Sequence, residues 1–349
     1  MAGQTADLGE YIAEYHSECP RRITSIDHCR IFDTENRRLL KREQKSRVLL
    51  YPGCFNPPHL GHYNVLRRAF EGSQDINVIA AIVLLLDDDS LEAKCEAKGQ
   101  ILVLSRSERA HLWRSDARVL PQWWIYDGSV RDWHWLREDL ENAIAIDGFD
   151  FQFASVLGPD YISRFESYSG WNWSCHETIT SDAGRRSDLD VIITEESVIN
   201  EFPDHTTLEI LTSSLLSQTK KKKKTGKERK AKTTKGTRNK TIWKNKPKYN
   251  PKKQKDSQDR PSAGKLTETS CEADVPKRAT VKVCHRIGEE TVWVRFVPAD
   301  ADPLDISATQ IRELAENDTM SSHELCEKLR GLVLSPDMLT EIILARPTY

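Results

Sequence analysis

Two short segments carry residues whose types and order suit phosphate chemistry. The first is Gly53-Cys54-Phe55-Asn56-Pro57-Pro58-His59-Leu60-Gly61-His62. His59 and His62 stand three residues apart, so on a helix they share a face and can both reach one phosphate group. Gly53 permits a close backbone approach to a ligand, and a helix start offers unpaired N–H donors and partial positive charge to an anion. The second segment is Asp305-Ile306-Ser307-Ala308-Thr309-Gln310-Ile311-Arg312. Ser307 is a natural N-cap, Thr309 adds a hydroxyl in the first turn, and Arg312 brings a guanidinium one turn in. Singly, each residue suits an ordinary capped helix with solvated polar side chains. Jointly they describe two helix starts built for one polyanion.

The elements that must position these residues are legible around them. Val48-Leu49-Leu50-Tyr51 is a buried strand stopped by Pro52-Gly53. The stretch after Pro57-Pro58 is helical, with Leu60, Val65, Leu66 and Phe70 on one face. Ile76 to Leu86 is apolar without alternation, as in a strand buried on both faces of a parallel sheet. Helices are expected near Ser105–Arg114 and Arg131–Ile146, and further strands at Phe151–Leu157, Leu189–Thr194 and Thr291–Val297. Strands alternating with helices predict an α/β fold, a Rossmann-like open parallel sheet with helices on both faces.

The 349 residues carry a formal charge of −2, which hides a sharp asymmetry. Between Lys220 and Arg260 stand 19 Lys and Arg against 3 Asp and Glu, leaving 32 basic and 50 acidic residues elsewhere. The reading by domains is an N-terminal extension (1–46) with a short helix around Leu8, Ile12 and Tyr15, a first core part (47–217), a basic insert (218–280) and a second core part (281–349). The insert has too few apolar residues to offset its ordering entropy and reads as disordered. Its lysines suit a solvated segment, a nuclear-localisation signal or a nucleic-acid contact through residues 220–260. No apolar run is long enough for a membrane helix and no secretory signal is visible. The eight cysteines are scattered without a Cys-x-x-Cys, as for reduced thiols in the cytoplasm or nucleus.

The paired segments resemble the two signatures of the nucleotidyltransferase superfamily with the HIGH-type motif. Within it the chain is most similar to nicotinamide/nicotinate mononucleotide adenylyltransferases. Lys98-Gly99 resembles that family's lysine-bearing loop, Ser105-Arg106-Ser107-Glu108-Arg109 the helix after its second strand, Gly158-Pro159-Asp160 its G-x-D turn, and Leu332-Val333-Leu334-Ser335-Pro336 its C-terminal end. Trp171 falls where the family carries a stacking tryptophan. Two departures touch the acceptor pocket: Trp123-Trp124-Ile125-Tyr126-Asp127-Gly128 does not match the expected Trp-Glu, and the segment before Ser181-Asp182-Ala183-Gly184-Arg185 is shortened.

The resemblance implies that a mononucleotide 5′-phosphate attacks the α-phosphate of ATP and releases pyrophosphate. It assigns His59, His62 and Arg312 to catalysis, and Gly53, Phe55, Asn56, Lys98, Ser307 and Thr309 to ATP. Asp160 and Trp171 fall to the mononucleotide, with Mg²⁺ bridging the phosphates. The alternatives are a cytidylyltransferase-like enzyme with another phosphorylated acceptor, or a non-catalytic nucleotide-binding protein acting through its basic insert. Asp87-Asp88-Asp89 reads as a solvated loop, and Cys175-His176 and Cys284-His285 lack zinc-finger spacing.

Overall fold

Ser46–Gly53 (β3) forms the centre of the sheet because its side chains are apolar toward both faces. Leu49 and Tyr51 enter one core and Val48 and Leu50 the other, the two-residue period of a pleated strand buried on both sides. The computed structural model describes residues 5–17, 32, 37–158, 173–184, 208–211, 281–286, 289–300, 304–316 and 320–346. Strand order is β5-β4-β3-β6-β7-β10-β9-β8, with β4 at Val78–Leu85, β5 at Trp123–Tyr126, β6 at Phe151–Leu157 and β7 at Glu177–Thr180. β8 is Leu208–Leu211, β9 Lys282–Arg286 and β10 Glu289–Phe296. The pairings from β5 through β10 are parallel, whereas β9 and β8 add on antiparallel. The expected α/β architecture with a mostly parallel sheet is what forms, with an antiparallel edge that the sequence does not announce. The strand expected at 189–194 and the disorder expected of 218–280 fall outside the described residues.

Helices cover both faces. α2 (Leu60–Glu71) and α4 (Arg106–Arg114) pack Val65, Leu66, Phe70, Ala110 and Trp113 on one side. α1 (Leu8–Ser17) and α5 (Val130–Ile146) pack Leu8, Ile12, Trp133, Leu136 and Leu140 on the other. The N-terminal extension is thus partly structural: Leu8 and Ile12 are core residues, and β1 (Thr5–Asp7) pairs with β2 (Leu39–Lys41). A third core joins α4 to three C-terminal helices, α6 (Ala308–Ala315), α7 (Ser322–Leu329) and α8 (Pro336–Leu344). Contacts divide the chain into Met1–Ser217 with Arg278–Tyr349, and Gln218–Lys277; the second unit lies outside the described residues. Among the described residues no helix is long and apolar enough to cross a membrane.

The topology leaves one place for a ligand. The chain runs from β3 to β4 and β5 on one side, then returns through α5 to β6 on the other side of β3. At such a switch point the connections leave in opposite directions, opening a crevice beyond the carboxyl ends of the strands.

Candidate active site

That crevice is a cleft of about 700 Å³. Its walls bring together Gly53, Phe55, Asn56, His59, His62, Lys98, Ser307, Thr309 and Arg312. Residues more than 250 positions apart in the chain therefore share one surface. Asp160 and Trp171 lie outside the described residues, although Gly158, at the end of β6, lines the cleft.

His59 is the N-cap of α2 and shares a reciprocal capping box with His62. The Nδ1 of His59 accepts from the His62 N–H (3.4 Å), and the Nδ1 of His62 accepts from the His59 N–H (3.3 Å). The rings stack with centroids 3.5 Å apart, and His62 also stands edge-on to Phe55 at 5.0 Å. Because both Nδ1 atoms accept, each neutral ring carries its proton on Nε2. Burial, then the charge of Arg312, pushes the His59 pKa down to about 3. Burial, then His59 and Lys94, holds His62 well below the ordinary histidine value. The pair is a fixed set of neutral Nε2–H donors, not a proton switch.

Phe55 and Gly53 act through packing. The Phe55 ring is buried against Tyr51, His62 and Trp113. A Cβ on Gly53 would lie 2.6 Å from that ring, so the space beside Gly53 belongs to Phe55 before any ligand. Gly61 answers a second close approach. A Cβ on Gly184 would stand 2.4 Å from the Gly61 carbonyl oxygen, so the loop after β7 seats directly on the first turn of α2.

Asn56 is buried, and its amide is committed to the protein. It donates to the Leu102 carbonyl (2.8 Å) and accepts from the Leu104 N–H (2.9 Å). Opposite it, Ser307 caps α6 in a box with Gln310. The N–H groups of Ala308 and Thr309 then have no intrahelical acceptor, which leaves them open to an anion. Arg312 is buried, donating to the Asn56 carbonyl and to the Thr309 hydroxyl (3.1 Å).

The sequence gives no sign of Lys94 and shows Arg109 only within the helix-opening segment Ser105–Arg109. Lys94, on α3 (Asp88–Glu96), lines the cleft one turn before Lys98, with its ammonium 3.3 Å from the Cys54 sulfur. A lysine on a weakly amphipathic surface helix gives no signal of its own. Arg109 is fully buried behind the cleft, bonded to the carbonyls of Cys54, Leu86 and Leu104 and to Asp88. The Asp87–Asp89 run is therefore more than a solvated loop, since Asp87 pairs with Arg106 and Asp88 with Arg109. Among the described residues no carboxylate lines the cleft, so lysines, Arg312 and N–H donors set its charge.

An open parallel sheet with a cationic, donor-rich cleft at its switch point defines an α/β protein built to bind nucleotide phosphates. The chain belongs to the cytidylyltransferase-like family, whose model matches residues 50–314, and so to the nucleotidyltransferase superfamily. Among solved structures it is similar to nicotinic acid mononucleotide adenylyltransferase of Plasmodium falciparum, complexed with APC and with NaAD. Each match has 13% sequence identity and a TM-score of 0.27, over 46% of this chain and 72% of that one. No curated protein matches the chain.

Proposed function

We propose that this nucleotidyltransferase moves AMP from ATP to nicotinamide or nicotinic acid mononucleotide, giving a pyridine dinucleotide and pyrophosphate. One observation carries the transfer reading: two helix N-termini, two Nε2–H donors and the cations of Lys94, Lys98 and Arg312 share one cleft with no carboxylate among the described residues lining it. In the transfer, an oxygen of the acceptor 5′-phosphate bonds to the α-phosphorus while the bond to the β-bridging oxygen breaks. The electron pair leaves with pyrophosphate. Such a step needs positioning and charge stabilisation more than covalent help. His59 and His62 donate to the α-phosphate oxygens as charge builds there. The start of α6, with Ser307 and Thr309, holds the β- and γ-phosphates beside Lys94 and Lys98.

A protein-held divalent ion does not fit this donor set. Among the described residues no group of three His, Cys, Asp or Glu could hold a metal. Mg²⁺ would therefore enter with the triphosphate as part of the substrate and would neutralise part of its charge.

The acceptor rests on the sequence resemblance, with Asp160 accepting from a ribose hydroxyl and Trp171 stacking on the pyridine ring. The family description supports a second reading, CTP with a phosphorylated alcohol, because the same phosphate groups serve either nucleotide. Pyrophosphate release with Mg²⁺ separates them, pairing ATP or CTP with nicotinamide mononucleotide, nicotinic acid mononucleotide or phosphorylated alcohols. Release with ATP and a pyridine mononucleotide is expected. Release only with CTP overturns ATP as the donor, release only with another acceptor overturns the pyridine mononucleotide, and silence from folded protein overturns the transfer.

A further inference from the structure

A loop that receives phosphates must keep its carbonyl oxygens turned away from them, since each carries partial negative charge. In the loop from Gly53 to His59 five of the seven oxygens meet a donor. Gly53 O accepts from the Leu86 N–H (3.1 Å), Pro58 O from the Leu334 N–H (3.3 Å) and His59 O from the Tyr63 N–H (3.1 Å). Two of the four oxygens between Gly53 and Pro58 go to arginines: Cys54 O accepts from Arg109 Nη1 (2.7 Å) and Asn56 O from Arg312 Nη1. Arg312 lines the cleft; Arg109 does not, and none of its surface is exposed.

Arg109 ties three cleft-forming segments to one rigid fork. Nε donates to Leu104 O (3.1 Å), ahead of α4, and Nη2 to Leu86 O (2.8 Å), after β4. Nη2 also meets Asp88 Oδ1 (2.7 Å), at the start of α3. A guanidinium buried this deeply is tolerated only while its donors are used, so the arrangement enforces itself. The planar fork suits acceptors in fixed directions, which a lysine ammonium does not reproduce.

We propose that Arg109 is a positioning residue for triphosphate binding: by drawing the Cys54 carbonyl to the buried side, it fixes the phosphate loop with its donors toward the cleft and its acceptors away. This inference rests on the nucleotide reading of the cleft and names a residue that touches no nucleotide. Its test is calorimetric titration of the full chain with inorganic tripolyphosphate, comparing wild type with Arg109→Lys, beside thermal melting of both. The variant is expected to bind at least about tenfold more weakly while folded, the scale of one charge-assisted hydrogen bond. In turnover assays its nucleotide KM rises while the acceptor KM stays put.

A merely structural arginine would lower the melting temperature without changing the affinity of the folded protein, and that result overturns the proposal. If Arg109→Lys does not fold, Asp88→Ala decides, because it frees one Nη2 partner from a half-exposed position. Weaker tripolyphosphate binding by folded Asp88→Ala supports the proposal, and unchanged binding overturns it. Wild-type protein that ignores tripolyphosphate overturns the nucleotide reading itself; wild type and Arg109→Lys binding alike overturns only the role of Arg109.

Discussion

At the scale of the residue, the histidine pair does two jobs with different atoms. Each Nδ1 finishes the cap of α2, and each Nε2 is left as a donor. His62→Ala is expected to lower turnover by roughly a hundredfold or more, as for loss of one transition-state donor, and to remove about 1 kcal/mol of cap stability. Steady-state rates and chemical denaturation of the same preparation check both. Acid sensitivity follows from the depressed pKa values. In the fold His59 stays neutral down to about 3, whereas in the unfolded chain it takes up a proton near the ordinary histidine pKa. The unfolded state therefore binds more protons in that window. Stability is full above about pH 6.5 and declines as the pH falls toward 3, with a shallower decline in His59→Gln. Lys94 is exposed and acts by charge, so Lys94→Ala should leave melting unchanged and weaken nucleotide binding roughly threefold, less at high salt.

At the scale of the element, the cleft depends on loops pressed onto helix starts. The contact of Gly184 with the Gly61 carbonyl leaves no room for a methyl group. Gly184→Ala should destabilise by about 1–3 kcal/mol and weaken nucleotide binding, because the displaced loop borders the cleft. Neither glycine signals this partnership in sequence, since they stand more than a hundred positions apart. A second junction locks α8 onto α4 through Asp116, which accepts from the Arg118 N–H, Nε and Nη2 and from the Ser335 N–H. Burial pushes the Asp116 carboxyl up, but these donors outweigh it and hold it below the usual carboxylate value. Its contribution is present above about pH 3.9 and is lost as the pH falls through the depressed folded value. Asp116→Ala should destabilise by about 2 kcal/mol near neutrality, measured by denaturant titration.

At the scale of the whole molecule, the basic run of 220–260 stands apart in sequence from the acidic remainder. β8 and β9 pair antiparallel, with Leu211 opposite Val283, so the chain leaves and re-enters the sheet at neighbouring positions. Replacing 218–277 with a short Gly-Ser linker should therefore leave turnover within about twofold and melting no lower, since a shorter loop reduces closure entropy by at most roughly 2 kcal/mol. A large loss of turnover would assign the insert to the transfer chemistry. Retention of heparin or RNA by the full chain alone would assign it a polyanion partner.

Much of the site was legible in sequence because each signal is local. A strand ending at Gly53, histidines at helical spacing and a serine-capped helix bearing Arg312 each announce themselves within a dozen residues, and local propensity together with apolar patterning fixes such elements. Hence the central parallel strands, both helix starts at the cleft and the surrounding helices match what the sequence implies. The antiparallel edge, the integration of Leu8 and Ile12 into a core, and the charges of Asp87 and Asp88 had no local signal, since their partners lie far away in the chain. Only tertiary structure could turn Arg109 from a helix residue into the anchor of the Cys54 carbonyl, give Asn56 to a neighbouring loop, and bring Lys94 to the cleft. Which carbonyl a buried guanidinium meets depends on where three separate loops converge, and only the closed sheet decides that.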